Sequence, residues 1–241
     1  MRGRIVVTLA IAALATWPAV AGAGTASGPH ETVEMTGTTT QPGTPVGTTF
    51  TATYHAAGDP NGDPPYMRRM KWIAHPGSLY DTSVPGRCTA SDAEIALRGP
   101  DACPADSRLG AGSATGKFGG RVSSPRMDLF NNTDEEILII STPGVYSVSR
   151  GKIGADQSLT FEPPTCYPNV SVAGCPVDNA LNLGTHMVLD NYVRDGRGYL
   201  TTPPTCPESG YWENGMEYWW ADGSHDTMVI QMPCSQTAAA P

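Results

Sequence analysis

Short segments in which hydrophobic and polar residues alternate run through the chain and predict β-strands. Phe50, Ala52 and Tyr54 alternate with polar residues, which is the period-two pattern of a strand with one buried face. The run 137–140 is continuously apolar and predicts a strand covered on both faces. The 27 glycines and 22 prolines interrupt such segments every few residues, as turns between strands do. The pattern predicts an all-β fold.

A β-hairpin is predicted near the C-terminus. Segments 211–221 and 224–232 both carry strand-like alternation. Asp222-Gly223 separates them and favours a type I′ turn, in which both central residues take positive φ. The hairpin is the strongest local prediction that the sequence offers.

The first strand of this hairpin is rich in aromatic residues. They are Tyr211, Trp212, Tyr218, Trp219 and Trp220. Alternation places Tyr218 and Trp220 on one face of the strand and Trp219 on the other. All five are candidate ligand-binding residues, because a solvent-exposed aromatic face would stack against sugar rings or another apolar ligand. The competing interpretation is that they fill the core, since large aromatic side chains dominate core burial.

One short helix is predicted. Ser91 and Glu94 have the spacing of a capping box, and Gly99-Pro100 ends the segment. A helix of about seven residues is marginal by itself in water. We therefore expect a bond between Cys88 and Cys103 to hold it in place.

Residues 1–23 have the pattern of a signal peptide. Arg2 and Arg4 precede the mostly apolar run 5–15, and Ala21-Gly22-Ala23 supplies the small residues of a cleavage site. The run is too short for a membrane-spanning helix, which needs about 20 residues, and no later run reaches that length. We expect a secreted, extracellular protein without membrane insertion.

Six cysteines follow this leader, and an even number in an oxidising compartment predicts disulfides. About fifteen pairings are formally open to six cysteines. Pairing of neighbours along the chain is favoured, because each pair then brackets a compact segment. The expected pairs are Cys88 with Cys103, Cys166 with Cys175, and Cys206 with Cys234. A zinc site is the alternative, but it needs more closely spaced cysteines than this sequence has.

The length of the chain and its alternation of hydrophobic and polar residues favour a single β-sandwich domain, jelly-roll-like or Ig-like, that is crosslinked by disulfides. Residues 45–235 are expected to form it, because all-β domains often reach about 200 residues. Residues 24–44 are expected to be a flexible N-terminal segment or an edge strand. Residues 236–241 are expected to be a disordered tail.

The charge of the chain restricts its partners. The formal net charge is −8 at pH 7. Nucleic acids and anionic membranes need Lys and Arg to neutralise their phosphates, so an acidic chain is an unsuitable partner for either. We expect no nucleic-acid binding, and a polysaccharide or cell-surface partner instead.

Motifs for catalysis and cofactor binding are incomplete throughout the sequence. Neither a nucleophile elbow nor an H-E-x-x-H zinc motif is present, which favours a non-enzymatic function. The run 59–63 resembles half of a calcium loop, with Asp59, Asn61 and Asp63 at alternate positions, but it lacks the closing Glu of an EF-hand. A polar turn explains the same residues. Calcium is the one cofactor that the sequence leaves open.

Two cysteine blocks resemble those of a family of exported actinobacterial proteins whose function is unassigned. The first block follows Cys88 and is Cys103-Pro104 with Ser107, Gly110 and Gly112; the second is 203–207 with Gly210, Trp212 and, further on, Cys234. The resemblance covers roughly residues 45–234. It implies export, a β-rich domain and disulfides in order along the chain, and it carries no catalytic residues over.

These observations predict an exported extracellular or cell-surface β-sandwich module with a non-catalytic binding or structural role. The alternative is a secreted carbohydrate-binding or carbohydrate-active jelly-roll protein that uses the aromatic hairpin. Two carboxylates meeting in a groove beside Trp219 or Trp220 would favour an enzyme. A flat or fully buried aromatic cluster would favour the module.

Overall fold

The structure, a computed structural model, describes residues 23–118, 120–162 and 180–235. Strands dominate these residues, as the alternating sequence pattern predicts. The strands are β1 Ala23–Ser27, β2 Glu31–Gly37, β3 Thr48–Tyr54, β4 Met67–Ile73, β5 Leu79–Tyr80, β6 Arg108–Phe118, β7 Arg121–Ser123, β8 Arg126–Asn132, β9 Glu135–Thr142, β10 Val145–Ile153, β11 Ser158–Phe161, β12 Leu181–Leu189, β13 Val193–Arg194, β14 Arg197–Gly198, β15 Leu200–Thr201, β16 Tyr211–Trp220 and β17 His225–Pro233. The predicted all-β class is confirmed.

Thirteen of these strands join into one antiparallel sheet. Its order is β1-β2-β3-β12-β6-β8-β9-β10-β11-β4-β16-β17, with β7 paired to β6. Two further pairs, β13 with β14 and β5 with β15, lie outside it. Residues 24–44, for which the sequence left a flexible segment or an edge strand open, contribute β1 and β2 to the sheet.

The sheet bends until its two ends meet. β1 lies directly against β17, so closely that a Cβ atom added to Gly24 would stand 2.4 Å from the carbonyl oxygen of Gln231. The inner faces of β2 and β3 therefore pack against those of β16 and β17. Their buried side chains form the largest hydrophobic cluster, which contains Val33, Met35, Ala52, Tyr54, Trp212, Met216, Tyr218, Trp220, Met228, Ile230 and Met232.

The predicted C-terminal hairpin is confirmed as β16 and β17, but the predicted turn type is wrong. Gly223 has φ of 92°, whereas Asp222 does not take a positive φ. The backbone amide of Trp220 donates to the carbonyl of Ser224, so three residues form the loop. A loop of that length needs only one left-handed residue, and the glycine supplies it.

The predicted short helix is confirmed as α1, Asp92–Arg98, followed by two 3₁₀ turns at Gly99–Ala102 and Ala105–Ser107. Ser91 and Glu94 form the expected reciprocal capping box. Ile95 is fully buried in a cluster that also contains Cys88 and Cys103. The guanidinium of Arg150 donates to Asp92 at 2.6 Å and to Glu135 at 2.7 Å, which ties the helix to β9 and β10.

Two of the predicted disulfides are present. Cys88 is bonded to Cys103, and Cys206 is bonded to Cys234. Cys166 and Cys175 lie outside the described residues, as do the expected tail 236–241 and nearly all of the expected leader. In the part of the chain that the structure describes, no helix is both long and apolar enough to cross a membrane.

Candidate functional site

The aromatic residues of the hairpin divide between the core and the surface. Trp212, Tyr218 and Trp220 are 4%, 0% and 3% exposed, because they lie on the inner face of β16. Trp212 also donates from its indole nitrogen to the carbonyl of Thr205, next to the disulfide at Cys206. Its ring and those of Tyr218 and Trp220 are therefore part of the packing that holds the hairpin.

Trp219 lies on the outer face and is flanked on both sides. The His225 ring on β17 stacks on it, with centroids 4.5 Å apart and an interplanar angle of 11°. The guanidinium of Arg69 on β4 lies 5.4 Å from its centroid. Because β16 runs between β4 and β17, these neighbours approach from opposite sides. Tyr211 is 44% exposed on the same outer face.

The acidic residues beside Trp219 do not meet in a groove. Glu217 Oε2 lies 3.8 Å from His225 Nε2, whereas Glu213 accepts a hydrogen bond from Gln231 at 3.3 Å. Each carboxylate is thus held by a different neighbour on β17. Glu213 and Glu217 therefore do not form the convergent pair of carboxylates that glycoside hydrolysis uses.

The three residues proposed for calcium lie exposed in the turn after β3. Asp59 accepts a hydrogen bond from the backbone amide of Asn61 at 3.0 Å, as in a local polar turn. Asp63 forms an ion pair with Lys117, with Oδ2 and Nζ 2.5 Å apart. Calcium binding at this turn stays a prediction.

A second group of chemically active residues, which the sequence analysis did not single out, lies inside the core. His30, Glu31 and Asp226 are 5%, 0% and 6% exposed. One ligand atom from each of the three lies within 4.8 Å of the other two. His30 precedes β2, Glu31 begins it, and Asp226 faces inward from β17, so the site forms where the two ends of the sheet meet.

Asp226 is the residue that holds this buried cluster together. Its Oδ2 atom lies 2.6 Å from Nδ1 of His30 and accepts a hydrogen bond from the indole nitrogen of Trp220 at 2.8 Å. The imidazole of His30 also packs 5.2 Å from the Trp220 ring. The orientation of the Asp226 carboxylate is therefore fixed by two side chains.

Glu31 is the unusual member of the cluster. Both of its carboxylate oxygens are buried, and neither forms a hydrogen bond of standard geometry with a described residue. The backbone amide of His30 and the Asp226 carboxyl are the polar groups that interact with it. Burial, together with the neighbouring Asp226 carboxylate, raises the pKa of Glu31 to about 8. A buried carboxylate without a hydrogen-bond donor is costly, so a proton or a cation must compensate its charge at neutral pH.

Gly28 makes room for the Glu31 side chain. A Cβ atom at Gly28 would stand 2.2 Å from Oε1 of Glu31 and 3.2 Å from Cε of Met228. Only glycine allows this close approach. The backbone before β2 is thus shaped around a buried acid.

A second buried acid lies elsewhere in the core. Glu136 is 3% exposed, and the hydroxyl of Tyr199 donates to its Oε1 at 2.8 Å. Burial raises the pKa of Glu136 to about 7. Unlike Glu31, Glu136 accepts a hydrogen bond of standard geometry, so its environment is that of a satisfied core carboxyl group.

The outer face formed by β1, β2, β3, β12 and β6 carries a set of hydroxyl side chains on all of these strands except β12, and it is called here the Thr/Ser face. Its members are Thr25, Ser27, Thr32, Thr36, Thr49, Thr51, Thr53, Ser113 and Thr115. They point outward because they alternate with buried residues such as Val33 and Ala52. Strand pairing sets Thr25, Glu34, Thr51, His186 and Ser113 in one row across five strands.

A small apolar cavity of about 60 Å³ lies between the ends of the sheet. Met35, Trp72, Leu200, Trp212 and Met232 are among the residues that line it. Small-molecule sites usually enclose about 300 Å³ or more. The cavity is therefore too small for a metabolite.

Comparison with protein-family models, curated proteins and solved structures finds no match for this chain. The candidate sites therefore rest on the residues themselves.

A signal for the buried cluster exists in the sequence. Glu31 occupies the same parity as Val33 and Met35 on β2, and Asp226 the same parity as Met228 on β17. An acid placed on the hydrophobic face of a strand indicates a buried charge. That two such acids from opposite ends of the chain meet depends on the closure of the sheet, which alternation alone does not reveal.

Proposed function

We propose that this chain is exported and acts outside the cell as a non-catalytic module with a binding or structural role. The leader-like residues 1–23 support export. The two disulfides suit an oxidising compartment, since cytosolic thiols are kept reduced.

The proposed binding role depends on the difference between the inner face of the sheet, which faces the core, and the outer face. The large rings of Trp212, Tyr218 and Trp220 point into the core. Hydroxyl groups lie on the outer face of four of five adjacent strands, which together are about 19 Å wide at the usual strand spacing, and β12 adds His186 and Val188 between them. The surface that this protein offers to a partner is therefore polar and rich in short hydroxyl side chains.

A hydrated polymer fits this surface. Threonine and serine hydroxyls both donate and accept hydrogen bonds, so a row of them complements the hydroxyl and amide groups of a polysaccharide. The exposed Thr53 and the half-buried Thr51 lie near the middle of the face. We propose a cell-surface polysaccharide as the partner, bound through the Thr/Ser face.

The aromatic hairpin is the weaker candidate for polysaccharide binding. Sugars stack on a free aromatic face, but His225 and Arg69 flank Trp219 on both sides. A sugar ring would have to displace one of them. The Thr/Ser face needs no such rearrangement.

Co-sedimentation of the purified mature protein with insoluble cell-wall and plant polysaccharides tests the proposal. The double variant Thr51→Lys/Thr53→Lys places two long side chains on the Thr/Ser face and should abolish binding. Thr227→Lys is the matched control, because Thr227 is exposed on the outer face of β17. It should bind as the wild type does.

Trp219→Ala decides between the two surfaces. It should leave co-sedimentation unchanged if the Thr/Ser face binds the polymer. Loss of binding in Trp219→Ala, with binding intact in Thr51→Lys/Thr53→Lys, would transfer the function to the hairpin. A wild-type protein that sediments with none of the polymers would contradict a polysaccharide partner.

A further inference from the structure

We propose that His30, Glu31 and Asp226 bind a divalent transition-metal ion, with Zn²⁺ the best match, inside the core beside Trp220. This site is independent of the Thr/Ser face and of any polysaccharide. It lies where β2 meets β17, at the closure of the sheet. A bound ion would connect the first strands of the domain to the last one.

The ligand set carries the first part of the argument. One imidazole nitrogen and two carboxylate oxygens lie within 4.8 Å of one another. Imidazole with carboxylates suits zinc and related transition metals, whereas calcium prefers oxygen ligands alone. Two carboxylates and one divalent ion are neutral together, so the metal would remove the cost of burying two negative charges.

Glu31 provides the second and independent part. It is fully buried, neither of its oxygens forms a hydrogen bond of standard geometry with a described residue, and Gly28 leaves the space that its carboxylate occupies. An ordinary core acid has a donor, as Glu136 has in Tyr199. The carboxylate of Glu31 points instead toward the other two ligands, which is the arrangement that a metal requires.

Neighbouring residues are placed to orient the ligands. Trp220 donates to Asp226 and would keep the carboxylate in position. The Asp222 carboxylate lies 4.0 Å from Nε2 of His30, the nitrogen opposite the one that faces the cluster. Metal-binding histidines commonly donate their second N–H to a carboxylate, which fixes the ring and its protonation.

The ion would take the place of protons. A hydrogen bond joins Nδ1 of His30 and Oδ2 of Asp226 at 2.6 Å. Ligands about 2.0–2.2 Å from a tetrahedral ion stand farther apart than this, so that hydrogen bond must open. Binding would release the proton on Glu31 and shift the imidazole proton of a neutral His30 from Nδ1 to Nε2, on the side of the Asp222 carboxylate.

The test uses the mature, disulfide-bonded protein, treated with EDTA and then dialysed. ZnCl₂ alone is added at pH 7.5, and binding is followed by calorimetry and by thermal unfolding. We expect one ion per chain and, at a zinc concentration 100 times the Kd, a rise in Tm of about 5–10 °C. Co²⁺ in place of zinc should give visible absorption bands and quench Trp fluorescence.

Three variants define the site. Glu31→Gln should weaken zinc binding at least tenfold, yet fold without metal, because glutamine resembles the protonated acid. Glu136→Gln removes the other buried acid and should bind zinc as the wild type does. His225→Gln removes an exposed histidine two strand positions from the hairpin turn and should also leave binding unchanged.

Three results would overturn the proposal. The first is a wild-type protein that takes up no zinc or cobalt. The second is equal affinity in the wild type and in Glu31→Gln, which would place the ion elsewhere. The third is a loss of zinc binding in His225→Gln, which would place the ion on the outer face of the hairpin.

Discussion

His30 and Asp226 are 196 residues apart in the chain, and their side chains lie 2.6 Å apart in the core. His30 stands before β2 and Asp226 lies on β17, so this contact joins the two ends of the sheet. Glu31 lies beside both, and its carboxylate forms no hydrogen bond of standard geometry with a described residue. The stability of the core where the two ends of the sheet meet therefore depends on how the charge of the Glu31 carboxylate is compensated.

The stability of the metal-free protein should fall as the pH rises from about 4.5 to about 8. Over that range an unfolded Glu31 ionises near its ordinary pKa of 4.5, while the folded protein keeps it protonated because its pKa is raised to about 8. The folded state then binds more protons, and stability decreases by up to about 1.4 kcal/mol per pH unit. Urea unfolding in EDTA at a series of pH values measures the decrease.

Glu31→Gln removes this contribution, because glutamine does not titrate. The variant should gain stability relative to the wild type between pH 4.5 and 8, with no further gain above pH 8. Glu136→Gln is the comparison. The pKa of Glu136 is about 7, so the gain in stability from this substitution should stop increasing one pH unit lower than the gain from Glu31→Gln. If the stability of the wild type and that of Glu31→Gln changed in parallel between pH 4.5 and 8, Glu31 would be ionised in the folded protein over that range.

Trp220→Ala should cost about 3–5 kcal/mol, because it opens a cavity in the core and removes the hydrogen bond to Asp226. Trp219→Ala on the outer face should cost about 1 kcal/mol or less, since only ring contacts with His225 and Arg69 are lost. Denaturant unfolding of the two variants makes the comparison. Similar losses at both positions would mean that the hairpin does not divide into a core face and a surface face.

Replacing both Cys206 and Cys234 with alanine should destabilise the domain by about 3–4 kcal/mol. The bond closes a loop of 28 residues around the hairpin, and its loss frees the unfolded chain. The bond between Cys88 and Cys103 spans 15 residues, so its removal should cost slightly less, about 3 kcal/mol. Urea unfolding of each double variant against the wild type measures the loss in stability. A loss below about 1 kcal/mol on removal of the bond between Cys206 and Cys234 would contradict its role as a stabilising crosslink.

Gly28→Ala should cost about 1–3 kcal/mol, because the new methyl group collides with the Glu31 carboxylate. Gly116→Ala is the control, since a Cβ atom there meets its nearest neighbour at 3.5 Å. A double-mutant cycle identifies the cause: in a Glu31→Ala background, the cost of Gly28→Ala should largely disappear. An unchanged cost would place the strain outside the Glu31 side chain.

Local patterns in the sequence predict much of this fold. Alternation identifies β3 and the hairpin, the capping box identifies α1, and the spacing of the cysteines indicates the two observed bonds. Each of these features depends on neighbours along the chain. The type of turn at Asp222 escaped prediction because a loop one residue longer needs only one left-handed residue.

The candidate site depends on contacts that local patterns cannot reveal. Glu31 and Asp226 each break the apolar face of a strand, and that much is visible in the sequence. Their meeting requires the sheet to bend until β1 reaches β17, which follows from the twist and packing of thirteen strands together. The same bend decides that Trp220 is buried and Trp219 is not.

Mass spectrometry of the protein secreted by an exporting bacterial host, which expresses the chain with its own leader, tests the claim on which the rest depends. Alkylation before and after reduction counts the free and the bonded cysteines. The account predicts a chain that begins at Gly24, with no cysteine alkylated before reduction and all six alkylated afterwards. A full-length chain retained in the cells with six reactive thiols would contradict export, the disulfides and the extracellular function together.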